Sequence, residues 1–157
     1  MAYVNADGLE ILAAGDAGTA AKRGTSLSSQ KKALVMTITG TEVPSSVDTP
    51  QDHDAFIPAG SYITGAHLIV TTAFTSGGSA TLTVGTYQQD GTVVDADGID
   101  ATVALAALAA NKAVACNGAA VGGTATVGAN DVYVEAIYGT AAFTAGEAKL
   151  VIEYIEP

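Results

Sequence analysis

Ala80-Thr81-Leu82-Thr83-Val84-Gly85-Thr86-Tyr87 is followed, after two glutamines, by Asp90-Gly91 and then Thr92-Val93-Val94. Side chains of an extended chain point alternately to opposite faces, so Leu82 and Val84 share one face and Thr81 and Thr83 the other. Asp-Gly between two such runs is a strong hairpin signal, because a tight two-residue turn needs positive φ. This stretch sets the class as antiparallel β.

The same alternation recurs along the chain. In residues 33–39, Leu34, Met36 and Ile38 alternate with Val35, Thr37 and Thr39. In 132–138, Val132, Val134 and Ala136 alternate with Tyr133, Glu135 and Ile137. The last strand places Leu150, Ile152 and Tyr154 on one face and Val151, Glu153 and Ile155 on the other. Phe56-Ile57 forms a short strand before a Pro58-Ala59-Gly60 turn, and residues 61–74 form a long one with Gly65 as a bulge. Residues 40–54, with Pro44 and Pro50, read as a loop, and residues 118–128 are Gly/Ala/Thr-rich and only faintly strand-like. Residues 101–110 look different. They are rich in Ala and Leu, with Val103, Ala107, Ala110 and Val114 on one helical stripe and Asp100 placed as an N-cap. The expectation there is the chain's only helix, about 15 Å long. Seven or eight short strands with one helix in a connection predict an antiparallel β-sandwich, jelly-roll-like, over residues 33–157.

Charge divides the chain differently. Lys22, Arg23, Lys31 and Lys32 are four of its six cations. From residue 33 onward only Lys112 and Lys149 face thirteen acids, a formal −11. Residues 1–32 therefore read as an extended, mildly basic N-terminal arm punctuated by Gly8, Gly15, Gly18 and Gly24. An arm on an acidic body is built to clasp a partner. Leu9, Ile11 and Leu12 are its apolar anchors, and Lys22, Arg23, Lys31 and Lys32 its contacts to acidic surface.

Only 14% of the residues are charged, against about 25% in an average domain. Low charge on a folded body implies either surface covered by other subunits or a secreted β-protein with a Ser/Thr-rich surface. The last strand, apolar on both faces, points to the former, a homo-oligomer. A net charge of −10 excludes nonspecific nucleic-acid binding by the body. No apolar run approaches the ~20 residues of a membrane span, and the acidic first dozen residues do not read as a secretory leader. Synthesis in a cytoplasm is expected.

Chemistry-bearing groups are few. Cys116 is the single cysteine, and its flanks lack the cations of a reactive thiolate. It reads as a small buried side chain. His67 sits within an apolar strand and reads as a structural histidine. Asp52-His53-Asp54 is a solvated loop. Asp95, Asp97 and Asp100 resemble part of a calcium loop, but counting from Asp95 the twelfth position is Ala106, so the bidentate Glu is missing. No phosphate loop, dinucleotide fingerprint or nucleophile elbow is present. The reading is a non-enzyme without metal or cofactor. Its rival is a carbohydrate-binding or adhesion module of a fibre, spike or secreted protein, with Tyr62, Tyr87, Tyr133 and Tyr138 as a stacking platform.

Three stretches carry a family resemblance: residues 56–63 (Phe-Ile-Pro-Ala-Gly-Ser-Tyr-Ile), residues 80–107, and residues 146–154 (Gly-Glu-Ala-Lys-Leu-Val-Ile-Glu-Tyr). They resemble small structural proteins on the heads of tailed bacteriophages, particularly short-tailed marine and cyanobacterial phages. The resemblance implies a decoration, or cement, protein of the virion. Such a protein is commonly a trimer of jelly-roll or similar domains bound to the major capsid protein lattice, made in the host cytoplasm. It brings no catalytic residues.

Overall fold

The computed structural model describes residues 2–4, 10–12, 31–47 and 56–156. The chain divides into two compact units, Met1–Gln30 and Lys31–Pro157. In the first, strands β1 (Ala2–Val4) and β2 (Glu10–Leu12) pair antiparallel, with Tyr3 opposite Ile11.

Among its described residues the second unit carries eight strands: β3 (Lys31–Thr39), β4 (Phe56–Ile57), β5 (Tyr62–Ser76), β6 (Thr81–Tyr87), β7 (Val93–Ala104), β8 (Ala113–Ala115), β9 (Val132–Gly139) and β10 (Phe143–Ile155). They form two four-stranded sheets, β3-β10-β5-β8 and β4-β9-β6-β7. All pairings are antiparallel. Numbered along the unit, the orders are 1-8-3-6 and 2-7-4-5, so the first and last strands are neighbours. This is the expected antiparallel sandwich.

The core lies between the sheets and follows the alternation in the sequence. Leu150 and Ile152 are fully buried, with Leu68, Val70, Ile63 and Ile38 beside them from the same sheet. Ile57, Leu82, Val84, Val103, Val132 and Val134 face them from the other. Phe74 and Phe143 meet edge to face at 5.1 Å near one end, a favoured aromatic geometry.

The hairpin read from Asp90-Gly91 is present. Gln88 N–H donates to the Thr92 carbonyl at 2.8 Å, and Gly91 adopts φ +81°. The bulge at Gly65 is present too: Gly65 pairs with Glu153 but the next pair is Ile63 with Tyr154, so Thr64 is skipped. After β8 the Gly-rich chain forms a strap instead of a strand. Its N–H groups at Gly118 and Ala120 bond to the carbonyls of Ile99 and Gly98 of β7, and those at Gly122 and Val127 to the carbonyls of Ile63 in β5 and of Ser61 just before it. It closes one side of the sandwich.

The helix expected at residues 101–110 is not there. β7 runs to Ala104, and only one 3-10 turn follows, Leu105–Ala107. An isolated ten-residue helix is marginal even when Ala-rich. Here the pairing of Val103 with Leu82 and of Ala104 with Thr81 outweighs it. Leu105 N–H donates to the Ala80 carbonyl, and buried Leu108 pins the turn to the core. Asp100 therefore caps nothing. It lies in β7 opposite Val84, almost wholly buried.

Adjacent residues of β10 test this placement of the core. Leu150→Ala is expected to lower the unfolding free energy by about 3 kcal/mol. Val151→Ala, on the outer face, should change it by less than about 1 kcal/mol. Urea denaturation of both variants checks the contrast.

Candidate binding surfaces

Cys116 lies just beyond β8 in the core, its N–H bonded to the Ala66 carbonyl. Burial, then the negative charge and hydrogen bond of Asp100, push its thiol up to about 12. A thiol so far from ionising at neutral pH is no nucleophile. The buried Asp100 carboxylate likewise serves a structural hydrogen bond.

The three aspartates considered for calcium do not converge. Asp95 pairs with Thr86 and Asp100 with Val84, on opposite sides of a wide bulge in β7. Asp95 Oδ1 accepts the N–H of Asp97 at 3.4 Å. Burial, and then a hydrogen bond with the Asp97 carboxyl, raise the Asp95 pKa. Among the described residues, no group of three or more His, Cys, Asp or Glu side chains is placed to hold a metal. Asp52, His53 and Asp54 lie outside the described residues. His67, expected to be structural, is exposed: it occupies an outward position of β5, opposite Val151 and Ala115.

Of the arm residues, Leu9, Lys22 and Arg23 lie outside the described residues. Ile11 and Leu12 are in β2, opposite Tyr3 and Ala2. Lys31 and Lys32 open β3, in the sheet. Lys31 Nζ is 2.6 Å from Glu153 Oε2, and Lys32 Nζ is 2.6 Å from Glu156 Oε2. The hydrogen bond to Glu156 also raises the Lys32 pKa. Register explains the pairing, since Lys31 and Lys32 lie opposite Ile155 and Tyr154, next to those glutamates. Both cations thus engage acids of their own body.

The four tyrosines do not make a platform. Tyr87 and Tyr133 face each other across β6 and β9 and are buried. The Tyr62 hydroxyl donates to the Gly123 carbonyl of the strap at 2.6 Å, and Tyr138 is half-buried at the far end of β9.

The outer faces of the two sheets differ sharply. On the β4-β9-β6-β7 side, residues 96–99 of β7 bulge over β6. The Ala96 carbonyl lies against Gly85, where any Cβ would collide with it, and accepts the Tyr87 hydroxyl at 3.4 Å. The β3-β10-β5-β8 face is uncovered and mixes apolar with polar side chains. Val35, Val151, His67 and Ala115 form one row across it, and Thr37, Lys149, Ile69 and Ala113 the next. Val35 is 57% exposed and Ile69 44%. Its margin, β3, is nine residues long and pairs with β10 without a register shift. Long regular edges invite further pairing. The sequence signal for this face was the alternation itself, which places Val35 and Ile69 opposite the core side chains of their strands.

The Cys116 thiol makes stability depend on pH. Its pKa is higher folded than the ~8.5 of an unfolded thiol, so folding disfavours ionisation. Its contribution is complete below about pH 8.5 and falls as pH rises toward 12. Between pH 8 and pH 10, the wild-type protein should lose more stability than Cys116→Ala in parallel urea titrations.

No known protein family matches the chain, and no curated protein matches it in sequence. Two solved assemblies contain chains of similar fold. One is the capsid of Ralstonia phage GP4, with TM-score 0.56 and 18% identity over 81% of this chain and 84% of that one. The other is the capsid asymmetric unit of cyanophage Pam1, with TM-score 0.57 and 15% identity over 90% of this chain and 99% of that one. The protein shares its fold with chains of these two phage capsids.

Proposed function

We propose that the protein is a virion structural protein that decorates and stabilises a phage capsid by binding the lattice of the major capsid protein. Residues 1–30, ahead of β3, act as the arm that clasps neighbouring subunits. The observation that carries this reading is the likeness in fold to the Pam1 capsid chain, over nearly the whole length of both chains. The strand orders 1-8-3-6 and 2-7-4-5 are read here as a jelly roll, an architecture viral capsid proteins use repeatedly. The role requires no catalysis and no cofactor. It places the protein on the capsid surface after synthesis in the host cytoplasm.

Self-association belongs to the same reading, with a trimer as the preferred state. The outer face of β3-β10-β5-β8 is where copies meet. Its charges balance, with Lys31 and Lys149 set against Glu147 and Glu153, whereas the rest of residues 31–157 has two cations against eleven acids. Copies can approach through this face with the least repulsion.

Two measurements test the proposal. Light scattering at micromolar concentration should give an oligomer for the wild type and a smaller species for Val35→Glu/Ile69→Glu, with unchanged circular dichroism. A monomeric wild type contradicts self-association. In co-sedimentation with empty heads, the full chain should bind and the chain lacking residues 1–24 should stay folded but bind weakly or not at all. Equal binding by the two forms contradicts the role given to the arm, and no binding by either contradicts decoration.

A further inference from the structure

One end of the β4-β9-β6-β7 sheet holds a cleft of about 360 Å³, lined by Gln88, Gln89, Asp90, Asn130, Asp131 and Tyr133. It lies between the tip of the β6–β7 hairpin and the start of β9, because Tyr87 and Tyr133 pair and the chain segments beside them run on together. Each lining side chain can form hydrogen bonds. Three are neutral amides that both donate and accept, two are carboxylates, and one is a phenol. The volume falls in the range of small-molecule sites.

The walls are held by their own hydrogen bonds. Asp90 Oδ1 accepts the Thr92 N–H at 2.8 Å, inside a turn closed by the Gln88–Thr92 and Gly91–Gln88 bonds. Hydrogen bonds from Thr92 also hold the Asp90 carboxyl below its ordinary pKa, so it is ionised and only accepts. Asp131 Oδ1 accepts the Ala59 N–H at 2.8 Å, which anchors the other wall to the turn after β4. Phe56, 41% exposed, meets Tyr133 at 5.9 Å between ring centres, so an open aromatic ring stands beside the cleft.

The chemistry narrows the ligand. Among the described residues the lining holds two carboxylates and no cation, which disfavours phosphates and carboxylates. Among the described residues none of the lining side chains is aliphatic, which disfavours lipids and other apolar molecules. Amides that donate and accept and fixed carboxylates that accept, next to an exposed ring, suit vicinal hydroxyls and the apolar face of a pyranose.

We infer that this cleft is a binding site for a neutral saccharide. The site is shallow and open, so binding is weak for a single sugar and grows with the number of copies displayed. The inference does not depend on attachment to a capsid.

The test is a titration of the ¹⁵N-labelled full chain, followed by backbone and amide side-chain shifts, in buffer containing EDTA to exclude metal ions. The probes are the methyl glycosides of α-D-glucose, α-D-galactose, α-D-mannose and N-acetyl-β-D-glucosamine, and L-rhamnose, each to tens of millimolar. At least one should shift resonances of Gln88, Gln89, Asn130 and Tyr133 in a saturable manner. Gln88→Ala and Asn130→Ala should each weaken that binding about three- to tenfold while keeping a dispersed spectrum. Val35→Ala, on the opposite sheet, should leave it unchanged. If none of the probes moves these resonances, or if the shifts persist unaltered in both variants, the inference is overturned.

Discussion

Strand β10 is the element on which the rest depends. It runs thirteen residues, from Phe143 to Ile155, and is paired on both sides, to β3 and to β5. Its inward residues Ala148, Leu150 and Ile152 are completely buried. Burying three consecutive inward side chains fixes register, since a slip of one residue would turn Lys149 and Val151 into the core. With β10 placed, β3 must lie along its outer side. The glutamates of its C-terminal end then stand beside Lys31 and Lys32. What looked in the sequence like the basic end of an arm is thereby made part of the sheet.

The same register determines what the sandwich shows to the outside. Turning Leu150 and Ile152 inward turns Val151 outward, and its neighbours Val35, His67 and Ile69 come with it. On the other sheet the chain covers its own outer face with the Ala96 bulge, which Gly85 permits by lacking a Cβ. The bulge covers part of one outer face, and the other face is left open, mixed in polarity and nearly neutral on an acidic body. That asymmetry is the physical content of the proposed assembly, because a face whose charges balance lets copies approach without the repulsion of the acidic remainder.

How much could be read beforehand follows from how local each signal is. The alternation in residues 80–87, 132–138 and 148–155, the Asp90-Gly91 turn and the Gly65 bulge are each decided within a few residues, and all were legible. The misread helix at residues 101–110 turned on a distant partner: nothing near Val103 announces that Leu82 will pair with it. His67 was misplaced for a similar reason. Its strand is apolar as a whole, and only the phase of the alternation shows that this position points out. The polar cleft was invisible because its two walls, residues 88–90 and 130–133, lie some forty positions apart. Each wall alone reads as an ordinary turn.

The most direct test of the proposed capsid role is a cryo-electron microscopy reconstruction of virions purified from a culture that expresses this chain from its native locus, with mass spectrometry of the same particles. The account predicts the chain among the virion proteins and an eight-stranded sandwich in the density on the outer capsid lattice, with the open sheet face between copies. Absence of the chain from purified particles, or its presence only away from the capsid, would contradict the account.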